Sequence, residues 1–139
     1  IFKDPHRGDA IEELGGMNVF FIFGKENKIV TPELTGTILE GVTRSSLIQL
    51  AKDRGMTVEE RAITLTEWRE GVANGDITEI FACGTAAVVA PIGKLKAEDF
   101  EIPAPTEHFG EISKSLREEL VGIQLGTVED RHGWMTRLI

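Results

Sequence analysis

The run Met17-Asn-Val-Phe-Phe-Ile-Phe23 constrains this chain most. Its apolar part, Val19 to Phe23, is β-branched and aromatic, too short for a helix, and halts at Gly24 before the polar turn Lys25-Glu26-Asn27. That pattern predicts a buried strand, with Lys28 to Thr31 beginning its hairpin partner. Neither this run nor Ala86 to Ala90, of equal length, approaches the roughly 20 residues a membrane helix needs, so no membrane span is expected. A chain of 139 residues, 41% hydrophobic and 27% charged, has enough material to close one core around such a strand. Its net charge of −8 offers no field that would gather phosphate backbones, which excludes nucleic acid as a partner. One cysteine, Cys83, cannot form an intrachain disulfide, and His6, His108 and His132 have no zinc-ligand spacing. With no signal-peptide pattern at the N-terminus, the chain reads as cytoplasmic and metal-free.

Residues 1–10 carry Pro5, Gly8 and alternating charges without apolar periodicity, and are expected to form a poorly ordered lead-in to a domain over 11–139. Leu34 to Gly41 is irregular. Leu47, Leu50, Ala51 and Arg54 then share one helical face, predicting a helix from about Thr43 to Arg54. Thr57 to Ile63 alternates like a half-buried strand, and Thr64 with Glu67 spells a capping box for a short helix ending near Gly75. Glu79 to Cys83 and Ala86 to Ala90 read as two buried strands around the Gly84-Thr85 break, and Gly93 to Pro105 as loop. Phe109, Ile112, Leu116, Leu120 and Ile123 recur at helical spacing, closed by Gly126. Strands and helices mix without a strict βαβ rhythm, which indicates an α+β fold with a mixed sheet and flanking helices.

Three places are candidates for chemistry. Leu39-Glu40-Gly41-Val42-Thr43-Arg44 feeds an irregular segment into a helix start, where free N–H groups and the helix dipole attract an anion; Thr43 as an ordinary cap explains the same residues. Cys83-Gly84-Thr85-Ala86-Ala87 joins two strands through small side chains, leaving amides and the Thr85 hydroxyl reachable by a carboxylate or phosphate; a plain buried hairpin is the alternative. Glu13 precedes Leu14-Gly15-Gly16-Met17-Asn18 at the mouth of the first apolar strand, where a solvated carboxylate would suffice.

The order of the segments adds information. Glu13-Leu-Gly-Gly-Met-Asn, Val30-Thr-Pro-Glu-Leu, Gly41-Val-Thr-Arg, Glu79-Ile-Phe-Ala-Cys-Gly-Thr-Ala and His132-Gly-Trp-Met, in this sequence, resemble the branched-chain aminotransferases, bacterial members especially, over about Ala10 to Leu138. The resemblance implies a fold-type IV pyridoxal 5′-phosphate enzyme, a pseudo-barrel cofactor domain that would normally follow a smaller N-terminal domain. It implies that Glu13 faces the pyridine nitrogen of the cofactor and Leu39 packs on its ring. Val42, Thr43 and Thr85 would hold its phosphate, and Thr85 and Ala86 would receive the substrate carboxylate. The implied activity moves the amino group of leucine, isoleucine or valine to 2-oxoglutarate in a homodimer.

Departures from the family pattern carry expectations too. The lysine that such enzymes bond to the cofactor lies well upstream of the glutamate, and neither Lys3 nor any lysine from Lys25 onward is in a matching place. The N-terminal domain, an upstream arginine and the substrate-side tyrosine are likewise unmatched, and no tyrosine is present at all. The chain therefore reads as the C-terminal part of such an enzyme, truncated and inactive alone, with an apolar strand and a long helix that have lost partners. Ala87 and Ala90 stand where some relatives carry a redox cysteine pair, so no thiol switch is expected. A D-amino acid aminotransferase or an aminodeoxychorismate lyase shares the cofactor half, and a catalytically silent cofactor-binding or interaction domain is the reading from outside enzymology.

Overall fold

A computed structural model describes residues 1–4 and 6–138. Its centre is a five-stranded mixed sheet ordered β5-β4-β3-β6-β7. β3 (Asn18–Phe23) is the middle strand, antiparallel to both β4 (Lys28–Thr31) and β6 (Glu79–Gly84). β5 (Thr57–Glu60) adds to β4 in parallel, and β7 (Val88–Pro91) closes the other edge.

Period-two alternation explains why β3 reads as a continuous apolar run. Phe20 and Ile22 point to one face, where α1 (Val42–Asp53) and α3 (Glu111–Leu125) cover them with Leu47, Leu50, Leu116 and Leu120. Val19, Phe21 and Phe23 point to the other, covered by α2 (Leu65–Ala73) with Trp68 and by Ile11, Leu95 and Ile102. Phe20 stacks on Phe81 at 5.1 Å and Phe21 meets Trp68 edge-on at 5.4 Å. All six residues of β3 are buried. The strand expected to have lost a partner is thus fully covered within this chain, because helices close both faces of the sheet.

Several boundaries differ from the sequence reading. Where a loose lead-in was expected over residues 1–10, the described residues are tied in: β1 (Phe2–Lys3) pairs antiparallel with β2 (Ile11–Glu13), Asp4 and Ala10 are buried, and Ala10 bridges Thr64. Backbone pairing orders a segment that has no apolar rhythm of its own. Gly93 to Pro105 holds a short hairpin, β8 (Lys94–Lys96) with β9 (Glu101–Pro103), which buries Leu95 and Ile102 and presents the Pro103 carbonyl to the Trp68 indole N–H at 3.2 Å. β7 begins at Val88, two residues after the expected Ala86, since residues 85–87 form the turn.

Candidate functional site

The site is assembled at the end of β3 where the chain enters it. Gly15 and Gly16, at φ +59° and +84°, make the two-residue turn between β2 and β3, and Leu14 and Met17 exchange backbone hydrogen bonds of 2.9 and 3.1 Å across it. Left-handed backbone at both positions suits glycine and matches the twist of a tight hairpin. The turn fixes Glu13 on one side of the hairpin and Asn18 on the other. Glu13 is half-buried, and its Oε2 is shielded from water with no hydrogen-bond partner. An orphaned carboxylate oxygen costs desolvation energy unless something outside these residues meets it.

Asn18 pairs with Cys83 on β6 and Met17 lies against Gly84, so the second segment begins beside the first. Residues 85–87 form its turn; Thr85 and Ala86 are exposed. Val88, which follows, sits at φ +59°, a strained state for a β-branched residue, held by its β7 pairing with Gly84. Cys83 itself is fully buried, and burial pushes its thiol up to about 12, which suits a small core residue rather than a nucleophile.

The third segment is tied in by the same asparagine. The Asn18 side-chain amide donates to the Leu39 carbonyl at 3.0 Å, two residues before the helix cap. That cap is Gly41, not Thr43, and it supplies no side-chain oxygen; Thr43 lies inside the first turn, half-buried. The other helix starts are filled. Thr64 accepts from the Glu67 amide at 3.0 Å, and the Glu79 carboxylate accepts from Ile112 and Ser113 at 3.0 and 2.8 Å. Only α1, of the three, presents its first amides without a capping side chain, and Val42 there is 82% exposed.

The structure therefore brings the Glu13 hairpin, the Leu39–Thr43 approach and the turn at residues 85–87 to one end of the β3–β6 pair. It does not enclose them. A cavity of about 580 Å³ opens beside α1, and among the candidate residues only Val42 lines it, with Ser45, Gln49, Leu120, His132 and Trp134. Glu13, Thr43 and Thr85 do not line that cavity; Leu39, Val42, Thr85 and Ala86 are exposed and make this end of the pair an open platform, while Glu13 and Thr43 are half-buried. The His132-Gly-Trp-Met segment forms the far wall of the cavity. His132 meets Asp53 of α1 at 2.6 Å and stacks on Trp134 at 4.8 Å, and the His132 contact holds the Asp53 carboxyl below its usual range.

Sequence reasoning missed the buried Arg44, which donates to the Pro32 carbonyl and to Glu60 at 2.9 and 2.8 Å, and the tie made by Asn18. A lone polar residue heading an apolar strand was the available signal for Asn18. Among the described residues, no group of three or more His, Cys, Asp or Glu could hold a metal ion.

Comparison with known proteins places these segments in context. The amino-transferase class IV family matches residues 1–95, beginning ahead of Ala10, where the resemblance in sequence starts. The chain is 52% identical over 140 residues to the branched-chain-amino-acid aminotransferase of Mycolicibacterium smegmatis, covering 99% of this chain and 38% of that protein. It is 50% identical to a probable branched-chain-amino-acid aminotransferase of Streptomyces coelicolor, covering 92% of this chain and 35% of that one. The chain thus spans little more than a third of these relatives' length. Among solved structures, the Escherichia coli branched-chain amino acid aminotransferase superposes with a TM-score of 0.77 at 27% identity, over 94% of this chain and 39% of the other. The Thermobaculum terrenum branched-chain amino acid aminotransferase in its PLP-form gives 0.73 at 31% identity, over 97% of this chain and 40% of the other.

Proposed function

The chain belongs to the amino-transferase class IV family, and from that premise we propose that it supplies the cofactor-holding part of a branched-chain aminotransferase. The whole enzyme would move the amino group of leucine, isoleucine or valine to 2-oxoglutarate using pyridoxal 5′-phosphate. One observation carries this reading: an orphaned buried carboxylate oxygen, an uncapped helix start and a small-residue turn converge at one end of the β3–β6 pair. The relatives named above, at about half identity, favour it over the D-amino acid and lyase members.

The residues fit that cofactor. When bound, its protonated pyridine ring withdraws electrons from the substrate α-carbon. Glu13 would hold the proton at the ring nitrogen; a unit charge pair at about 4 Å is worth about 4 kcal/mol at an effective dielectric of 20. The Glu13 Oε2 is a buried acceptor that no donor of this chain meets, as a site for a ring N–H would be. Val42 and Thr43 amides at the open α1 start, with the Thr85 hydroxyl, would take the phosphate, and the exposed Leu39 would rest on the ring. The Thr85 and Ala86 amides would take the substrate carboxylate, orienting the α-carbon for proton transfer.

Proton transfer itself falls to a lysine from outside these 139 residues. Of the chain's own lysines, Lys25, Lys28, Lys94 and Lys114 lie within ion-pair distance of carboxylates. The reading also places the whole enzyme in the cytoplasm as a homodimer, with a smaller N-terminal domain closing the open platform; among the described residues no helix is long and apolar enough to cross a membrane. The experiment compares pyridoxal 5′-phosphate with pyridoxal on the 139-residue chain, and leucine turnover on the chain and the complete enzyme. Phosphate-dependent binding with turnover confined to the complete enzyme is expected. Leucine-dependent turnover by the chain alone, or equal binding of pyridoxal, overturns the reading.

A further inference from the structure

Asparagine is out of place at the head of β3. The five residues that follow it are apolar and buried, and Asn18 itself is only 6% exposed. A buried carboxamide is costly unless its polar atoms are used, so its contacts say what holds it there. Its backbone lies opposite Cys83, one residue before Gly84 ends β6. Its Nδ2 donates to the Leu39 carbonyl at 3.0 Å. Its Oδ1 sits 2.5 Å from where a Cβ on Gly41 would be, so it occupies the volume that a side chain at the α1 cap would need. Gly41 is in ordinary extended backbone, at φ −73° and ψ 130°, so what favours glycine there is this close approach and not conformation: a Cβ would have to push the buried Asn18 carboxamide aside. The hairpin that positions Glu13 ends at Asn18 as well, through the Leu14–Met17 bridge.

We propose that Asn18 is the positioning residue of the cofactor site: its carboxamide locks the Leu39–Gly41 approach and the open start of α1 against the β3–β6 pair, so that the helix amides and the Thr85 turn address the same phosphate. The inference rests on the proposed function for the identity of that ligand, but the lock is a property of this chain's own packing. Asn18 touches no reacting atom. Losing it lets the α1 start drift relative to Thr85, which weakens phosphate capture while the core beneath, from Val19 to Phe23, keeps its packing.

Two measurements on the 139-residue chain test the lock and its purpose separately. The first is a thermal-unfolding cycle of Asn18→Ala, Gly41→Ala and the double variant. Gly41→Ala in the wild-type background suffers both the poorer cap and the clash with Oδ1, an overpacking cost that corresponds to a fall of about 5–10 °C. In the Asn18→Ala background only the poorer cap remains, so the fall is expected to shrink by half or more. Equal falls in both backgrounds overturn the lock.

The second measurement is affinity for pyridoxal 5′-phosphate, read by phosphorus resonance shift and fluorescence, for wild type, Asn18→Ala and Asn18→Asp. Asn18→Ala is expected to bind about tenfold more weakly, and Asn18→Asp more weakly still, because its carboxylate competes with the phosphate for the open α1 amides. Aspartate keeps the shape of asparagine but cannot donate to the Leu39 carbonyl, so the readout that separates positioning from mere structure is pyridoxal. A merely structural role would weaken pyridoxal and pyridoxal 5′-phosphate alike, whereas loss of the lock costs the phosphate-bearing ligand more. An equal loss for both overturns the positioning role. Unchanged affinity in both variants, with wild type binding, overturns the positioning role and leaves the proposed function standing. Failure of wild type to bind the phosphate probe, with the unfolding cycle coupled as described, overturns the proposed function and leaves the lock.

Discussion

At Glu13 the demands of folding and of chemistry separate. Its Oε2 is buried without a partner, so the charge adds nothing to the fold that packing would miss. Glu13→Gln is expected to leave the unfolding midpoint of the chain unchanged or slightly higher, while turnover of the complete enzyme with leucine falls by about 10²–10³-fold. An unchanged turnover would remove the carboxylate from the mechanism. Cys83 makes the opposite case. Its thiol leaves the ordinary value of 9.0 for about 12 through burial, so between those values the folded chain keeps a proton that the unfolded chain has lost. Stability therefore drops as pH rises through that window, and urea midpoints measured on either side of it should fall more steeply for wild type than for Cys83→Ala.

The elements show what local sequence can and cannot say. Thr64 was legible as a helix cap because its acceptor role is settled within three residues, and it does receive the Glu67 amide. The second half of that capping box is replaced: the Glu67 carboxylate turns to Arg61 at 2.7 Å. The start of α3 was not legible, since its capping carboxylate, Glu79, comes from a strand thirty-three residues away. Glu79→Ala is expected to destabilise the chain by about 1–3 kcal/mol, with faster amide exchange confined first to the α3 start, because two amides lose a charged acceptor in a buried place. Exchange that speeds uniformly over all three helices would contradict this. The β8–β9 hairpin escaped the sequence reading because each three-residue strand turns only one side chain inward, too few to show alternation.

For the molecule as a whole, the central strand, its hairpin partner and the order of the segments were readable, since each is written in contiguous residues. The parallel β4–β5 pairing, the two-sided cover of β3 and the openness of the site were not, since they follow from how distant pieces meet. That openness has a kinetic consequence. A chain with a net charge of −8 pushes an approaching phosphate away at long range, while the uncapped tip of α1 draws it in over a few ångströms. Added salt shortens the reach of the repulsion before it touches the short-range attraction. Stopped-flow capture of pyridoxal 5′-phosphate by this chain should accordingly speed up between low and physiological ionic strength, the reverse of what a cationic anion trap would do. A capture rate that slows over the same interval would mean that the approach is steered by basic side chains instead of by the bare end of a helix.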